Sequence, residues 1–130
     1  MASVKGLECK VVALTNLVVL SGPQSVDGVW VVPNDVVLLV GQKHAAENGL
    51  WTVGTPWRRH PAAATAEDVV GMSVLVREGA RRGDTLWQCV NALPVELGAT
   101  ELLFGEVIEV PRRRAAARVL PPLRVLRGMG

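Results

Sequence analysis

The stretch DGVWVVPNDVVLLV (residues 27–40) decides how the rest of this chain is read. Two valine-rich runs, 27–32 and 35–40, are separated by Pro33-Asn34-Asp35. That cluster fixes one φ and offers short side chains that cap a turn, so each run reads as a strand. In the second run Val36, Leu38 and Val40 alternate, which predicts that they face a core. Asp27-Gly28 at the head of the first run fits a turn that needs positive φ.

The same grammar recurs along the chain. Strands are predicted near 8–14, 17–20, 27–32, 35–40, 49–53, 72–78, 85–90 and 101–110. Breaks fall at Ser21-Gly22-Pro23, Asn48-Gly49, Gly54-Thr55-Pro56, Glu78-Gly79 and Gly83-Asp84. Only 66–70 reads as a helix, with Thr65 and Asp68 at capping-box spacing and Gly71 as its stop; 45–48 reads as a single turn. Eight short strands and so little helix predict an all-β fold, a small antiparallel barrel or sandwich with one short helix and an extended C-terminal arm. The valines and leucines, with Trp30, Trp51, Trp87 and Phe104, are expected to fill its core. Trp57 stands apart. Between Pro56 and Arg58-Arg59-His60-Pro61 it lies in polar, turn-rich sequence, where an exposed ring together with Arg58, Arg59 and His60 would contact a receptor or a sugar.

A length of 130 residues suits one domain, read here as a β-rich module over 1–110 and an arm over 111–130. Although 49% of the residues are apolar, no stretch reaches the roughly 20 uncharged apolar residues of a membrane-spanning helix. Lys5, Glu8 and Lys10 interrupt the first apolar run, so export by the general secretory route is not expected. Cys9 and Cys89 each sit in an alternating apolar pattern and are read as buried, reduced thiols.

Catalytic patterns do not emerge. The histidines are His44 and His60, in no metal-ligand spacing, so neither a metal nor another cofactor is expected. Ser3, Ser21, Ser25 and Ser73 lie in no nucleophile-elbow setting, and Glu67-Asp68 suits a helix start better than acid–base work. Phosphate-binding glycine loops are absent from the sequence. The chain is therefore read as a non-enzyme.

Taken in order, Asp27-Gly28-Val29, 34–40 with Gln42, Glu47-Asn48-Gly49-Leu50-Trp51 with Val53, and Trp57-Arg58-Arg59 make a recognisable set. Glu67 to Gly71, Val74 to Gly79, Asp84 to Trp87 and Leu97 to Phe104 continue it. The set resembles a module of bacteriophage virions found in tail fibres, minor tail proteins and capsid-decorating proteins. The likeness covers about residues 12 to 105. It departs from the module's pattern at Asn34-Asp35-Val36, where Gly-Asp-Arg is usual, and at His60 to Ala64, which replaces an aspartate-rich segment. The resemblance implies a structural role in the virion, synthesis in the host cytoplasm and no catalytic residue. It leaves two places open: a capsid-decorating subunit, or a tail-fibre or tail-tip module that binds a host receptor or glycan.

The arm bears on that choice. Eight of the 14 Lys and Arg and all 12 Asp and Glu precede residue 111, so the body carries −4 and the arm +6. Its cations are Arg112, Arg113, Arg114, Arg118, Arg124 and Arg127, interleaved with Val119, Leu120, Leu123, Val125 and Leu126. Pro111, Pro121 and Pro122 oppose a continuous helix. Such a segment is expected to wrap over a partner, its apolar side chains supplying most of the affinity and its arginines the register. The partners expected are other virion proteins, the major capsid protein or tail components, and copies of the chain in a homo-oligomer, a trimer. Arg-Val-Leu recurs at 118–120 and 124–126, and either piece could add a strand to an exposed sheet edge. Nucleic acid is the weaker reading, since the arm lacks aromatic rings for stacking and the body is acidic. A solvated tail is the plainest alternative, against which its apolar content argues.

Overall fold

The computed structural model describes residues 6–109 and 117–119. The strands in order are β1 (Gly6–Cys9), β2 (Val11–Ala13), β3 (Gln24–Val26), β4 (Val29–Val31), β5 (Val36–Leu39), β6 (Gly49–Thr52) and β7 (Arg58–Arg59). After a short helix α1 (Ala66–Val69) come β8 (Ser73–Val76), β9 (Thr85–Cys89), β10 (Phe104–Glu109) and β11 (Ala117–Val119). Three sheets result: β1-β8-β9-β10-β11, β2-β5-β6-β7, and the hairpin β3-β4. They close no barrel among the described residues, so of the two architectures expected it is the sandwich-like one that forms.

One run of chain joins the two larger sheets. The strand expected at 8–14 is divided at Lys10: β1 pairs with β8 and β2 with β5, both in parallel. The Lys10 N–H donates to the Val36 carbonyl while its own carbonyl accepts from Glu78 N–H, so this residue bonds to both layers. The remaining pairs are antiparallel, as expected. The parallel pairs escape sequence reading because long connections, not hairpin turns, join their strands, and alternation does not encode direction.

β5 is the central element. Leu38 belongs to one buried cluster with Val12, Leu50, Val74, Val76, Trp87 and Phe104, and Val36 and Val40 pack against it. Val37 and Leu39 point the other way, into a second cluster with Val11, Val31, Val53 and Trp57. Both faces of the four-stranded sheet are thus covered, by the five-stranded sheet on one side and by the β3–β4 hairpin on the other. An uninterrupted Val-Val-Leu-Leu-Val run is what a strand buried on both faces requires.

Two local expectations are corrected. Residues 17–20 form no strand: Val18 and Val19 are exposed, and the loop is pinned where Gln42 accepts from Leu17 N–H at 2.7 Å. Trp30 is not a core residue. It pairs with Ser25 on the outward face of the hairpin and is 61% exposed, because Val29 and Val31 take the inward positions. Other turns form as read. Asp27 and Gly28 have φ of 47° and 77°, the Thr65 hydroxyl accepts from Asp68 N–H to start α1, and Gly71 follows it at φ 80°.

Candidate functional site

Trp57, Arg58, Arg59 and His60 do not come together as the exposed contact patch expected of them. Trp57 is only 3% exposed. Its indole N–H donates to the Gly22 carbonyl at 2.9 Å and its backbone N–H to Leu20 at 3.0 Å, while Gly22 N–H reaches Gly54. The ring fastens the 20–22 loop to the second cluster. Its polar neighbours suggested exposure because each of them turns away from it. The Arg59 guanidinium lies over the Trp51 ring at 4.7 Å and donates to the carbonyls of Asn48 (3.0 Å) and Ala46 (2.8 Å). Burial lowers its pKa, and the nearby charge of Glu47 works in the opposite direction. His60 Nδ1 accepts from Ala62 N–H at 3.0 Å, capping the single turn Pro61–Ala63. Of the four residues, only Arg58 is exposed.

Polar groups elsewhere in the body are also turned inward. Buried Asn48 accepts from Gln42 N–H (2.9 Å) and donates to the Leu102 carbonyl (2.9 Å), joining the 41–48 segment to the entrance of β10. The Asp27 carboxylate accepts from the N–H groups of Arg81 (3.2 Å) and Arg82 (2.9 Å), holding the 79–83 loop against the hairpin. Nothing in the sequence marked Asp27 for that second task beyond its turn position, 54 residues away. Asp35 accepts from Val32 N–H (2.9 Å) and from Lys10 Nζ (3.0 Å). Desolvation raises its pKa, but these two bonds and the Lys10 charge outweigh it and the net shift is downward.

Both thiols are buried and unbridged. Desolvation pushes Cys9 up to about 12 against weaker opposition from backbone hydrogen bonds, and Cys89 is raised for the same reason. A thiol in that state is a core side chain rather than a nucleophile at neutral pH. A cavity of about 270 Å³ lies between β2 and the 26–27 turn, with Val12, Ala13, Leu14 and Val26 in its wall. Its one carboxylate, Asp27, is already engaged by backbone. Among the described residues no group of three His, Cys, Asp or Glu side chains is placed to hold a metal ion, and no helix is long and apolar enough to cross a membrane.

The arm enters the described structure at β11. It lies antiparallel on the outer half of β10, with Val119 opposite Val107, Arg118 opposite Ile108 and Ala117 opposite Glu109. The 118–120 piece therefore begins as a strand added to the chain's own sheet. Arg112, Arg113, Arg114, Leu120, Leu123, Arg124, Leu126 and Arg127 fall outside the described residues. The chain matches no family model, and no curated protein or solved structure matches it.

Proposed function

We propose that this protein is a non-enzymatic structural component of a bacteriophage virion, a capsid-decorating subunit that docks on the shell and on neighbouring copies through its C-terminal arm. The observation that carries this reading is a division of labour. The polar and aromatic residues that make the sequence resemble virion modules are spent inside the body: Asp27 on the 81–82 backbone, Asn48 on Leu102, Trp57 on Gly22, Arg59 on Trp51. A converging set of acid, base and nucleophile does not form from them. The strongest source of binding chemistry left is the arm, with +6 of charge against −4 on the body and apolar side chains between its arginines. Burial of Trp57 takes that ring out of reach of a tail-tip sugar, which leaves the outward-facing Trp30 as the exposed ring such a contact would have to use.

Copy number on purified virions tests the proposal. Quantitative mass spectrometry is expected to find hundreds of copies per particle, and a handful per particle would move the protein to the tail. A chain lacking residues 111–130 is expected to stay folded and be missing from the particles. Undiminished occupancy by that chain would take attachment away from the arm.

A further inference from the structure

An apolar patch with two carboxylates lies at the entrance to β10. The Cys89–Phe104 pair continues one step outward, where Val90 N–H donates to the Leu103 carbonyl at 2.9 Å. Alternation turns Val90 and Leu103 to the face opposite buried Cys89 and Phe104. Asn91 secures the loop that follows, donating to the Glu101 carbonyl (2.9 Å) and accepting from Leu103 N–H (2.8 Å). That keeps Leu93, two residues on, close to this pair. Val90, Leu93 and Leu103 are 37%, 54% and 37% exposed. Glu96, three residues after Leu93, and Glu101, two before Leu103, are exposed and make no ion pair to another described residue.

We propose that this patch is the seat of residues 120–127 of the same chain. Direction is the first argument. β11 runs antiparallel to β10 with Val119 opposite Val107, so the chain leaving Val119 is aimed at the Phe104 end of β10. From Val107 back to Leu103 is four residues, about 13 Å of strand, which 11 residues beyond Val119 span easily. The second argument is the sequence of that segment. Pro121 and Pro122 have no N–H to give a ladder, so the sequence opposes a longer strand at that point. Leu123, Val125 and Leu126 follow, with Arg124 and Arg127 among them and no acid. An apolar surface with Glu96 and Glu101 within three residues of its leucines complements that composition in both respects. Burial of the leucines supplies the attraction and the ion pairs set the register.

The tether selects the chain's own tail over a neighbour's. With no spacer beyond β11, the local concentration of the segment is on the order of millimolar or higher, above that of a second copy in dilute solution. In the free subunit the seat then covers leucines that would otherwise drive self-association. On the proposed virion role, the shell competes with the seat for them; the seat itself stands without that role.

Amide hydrogen exchange in the full chain tests this. With Leu123→Asp and Leu126→Asp together, the amides of Val90 and Leu103 are expected to exchange at least about tenfold faster than in the unmodified protein, while those of Leu38 and Val74 do not change. Equal exchange at Val90 and Leu103 overturns the proposal whatever becomes of the virion reading. A second variant, Leu93→Cys with Leu123→Cys, identifies the donor chain under mild oxidation. A disulfide within a species of monomer mass is expected. A linked dimer would assign the seat to a neighbour's tail and overturn the same-chain inference.

Discussion

Trp57 and Trp30 exchange the places that local sequence assigns them, and both exchanges have a physical cause. The segment around Trp57 is polar because its neighbours are occupied elsewhere: Arg59 with Trp51 and backbone carbonyls, His60 with the turn that follows it. Trp30 sits in an apolar run whose outward positions carry no polar residue to betray them. Substitution separates the two tryptophans. Trp57→Ala removes a buried ring and leaves the Gly22 carbonyl without its donor, and is expected to cost about 3–5 kcal/mol in denaturant unfolding. Trp30→Ala is expected to cost less than about 1 kcal/mol, and acrylamide should quench Trp30 emission far more than that of Trp57. Equal losses in the two variants would contradict this assignment. The positive-φ positions were more legible, since Asp27-Gly28 and Gly71 depend only on local backbone geometry.

Elements were legible where they depend on their own residues and obscure where they depend on distant ones. The helix start at Thr65, the turn at 45–47 and strands β5, β6, β8 and β9 fall close to their predicted places, because caps, alternation and turn residues lie within a few positions of one another. The parallel pairing of β1 with β8 and of β2 with β5 joins segments far apart in the chain, and the second face of β5 is buried by separate elements, the β3–β4 hairpin and the segment around Val53 and Trp57. Asn48 shows how such distant pieces are joined. Its side chain donates to the Leu102 carbonyl across 54 residues, beside the Leu102 N–H that donates to the Ala45 carbonyl. Asn48→Ala leaves Gln42 N–H and the Leu102 carbonyl unsatisfied in a buried place, for an expected loss of about 2–3 kcal/mol. Thr65→Ala, which removes only the cap of a four-residue helix, should cost about 1 kcal/mol or less. Chemical denaturation of both variants checks that order.

The molecule as a whole is a set of layers held in register by the run from Gly6 to Ala13, and two ionisable side chains in or against that run tie its stability to pH. Asp35 reaches Lys10, the residue at which the run crosses between sheets, and its folded pKa lies below the ordinary 3.8. A depressed carboxyl contributes stability that is complete above its unfolded value and disappears as pH falls through the folded one, so this contribution is lost below about pH 3.8. Cys9, at the end of β1, has the opposite sign. Its folded pKa of about 12 exceeds the ordinary 9.0, so the neutral thiol is favoured in the folded state. Its contribution is complete below pH 9.0 and lost between there and about 12, as the unfolded chain gains a thiolate that the core refuses. Stability measured by denaturant midpoint is therefore expected to be flat at intermediate pH with two descending limbs. Asp35→Asn should lower the plateau by about 1–2 kcal/mol and make the acid limb shallower. Cys9→Ala should lower the plateau through lost packing yet make the alkaline limb shallower, although Cys89, raised by the same desolvation, keeps part of it. If either variant left the slope of its limb unchanged, that side chain would not be the group whose titration limits the fold at that end of the pH range.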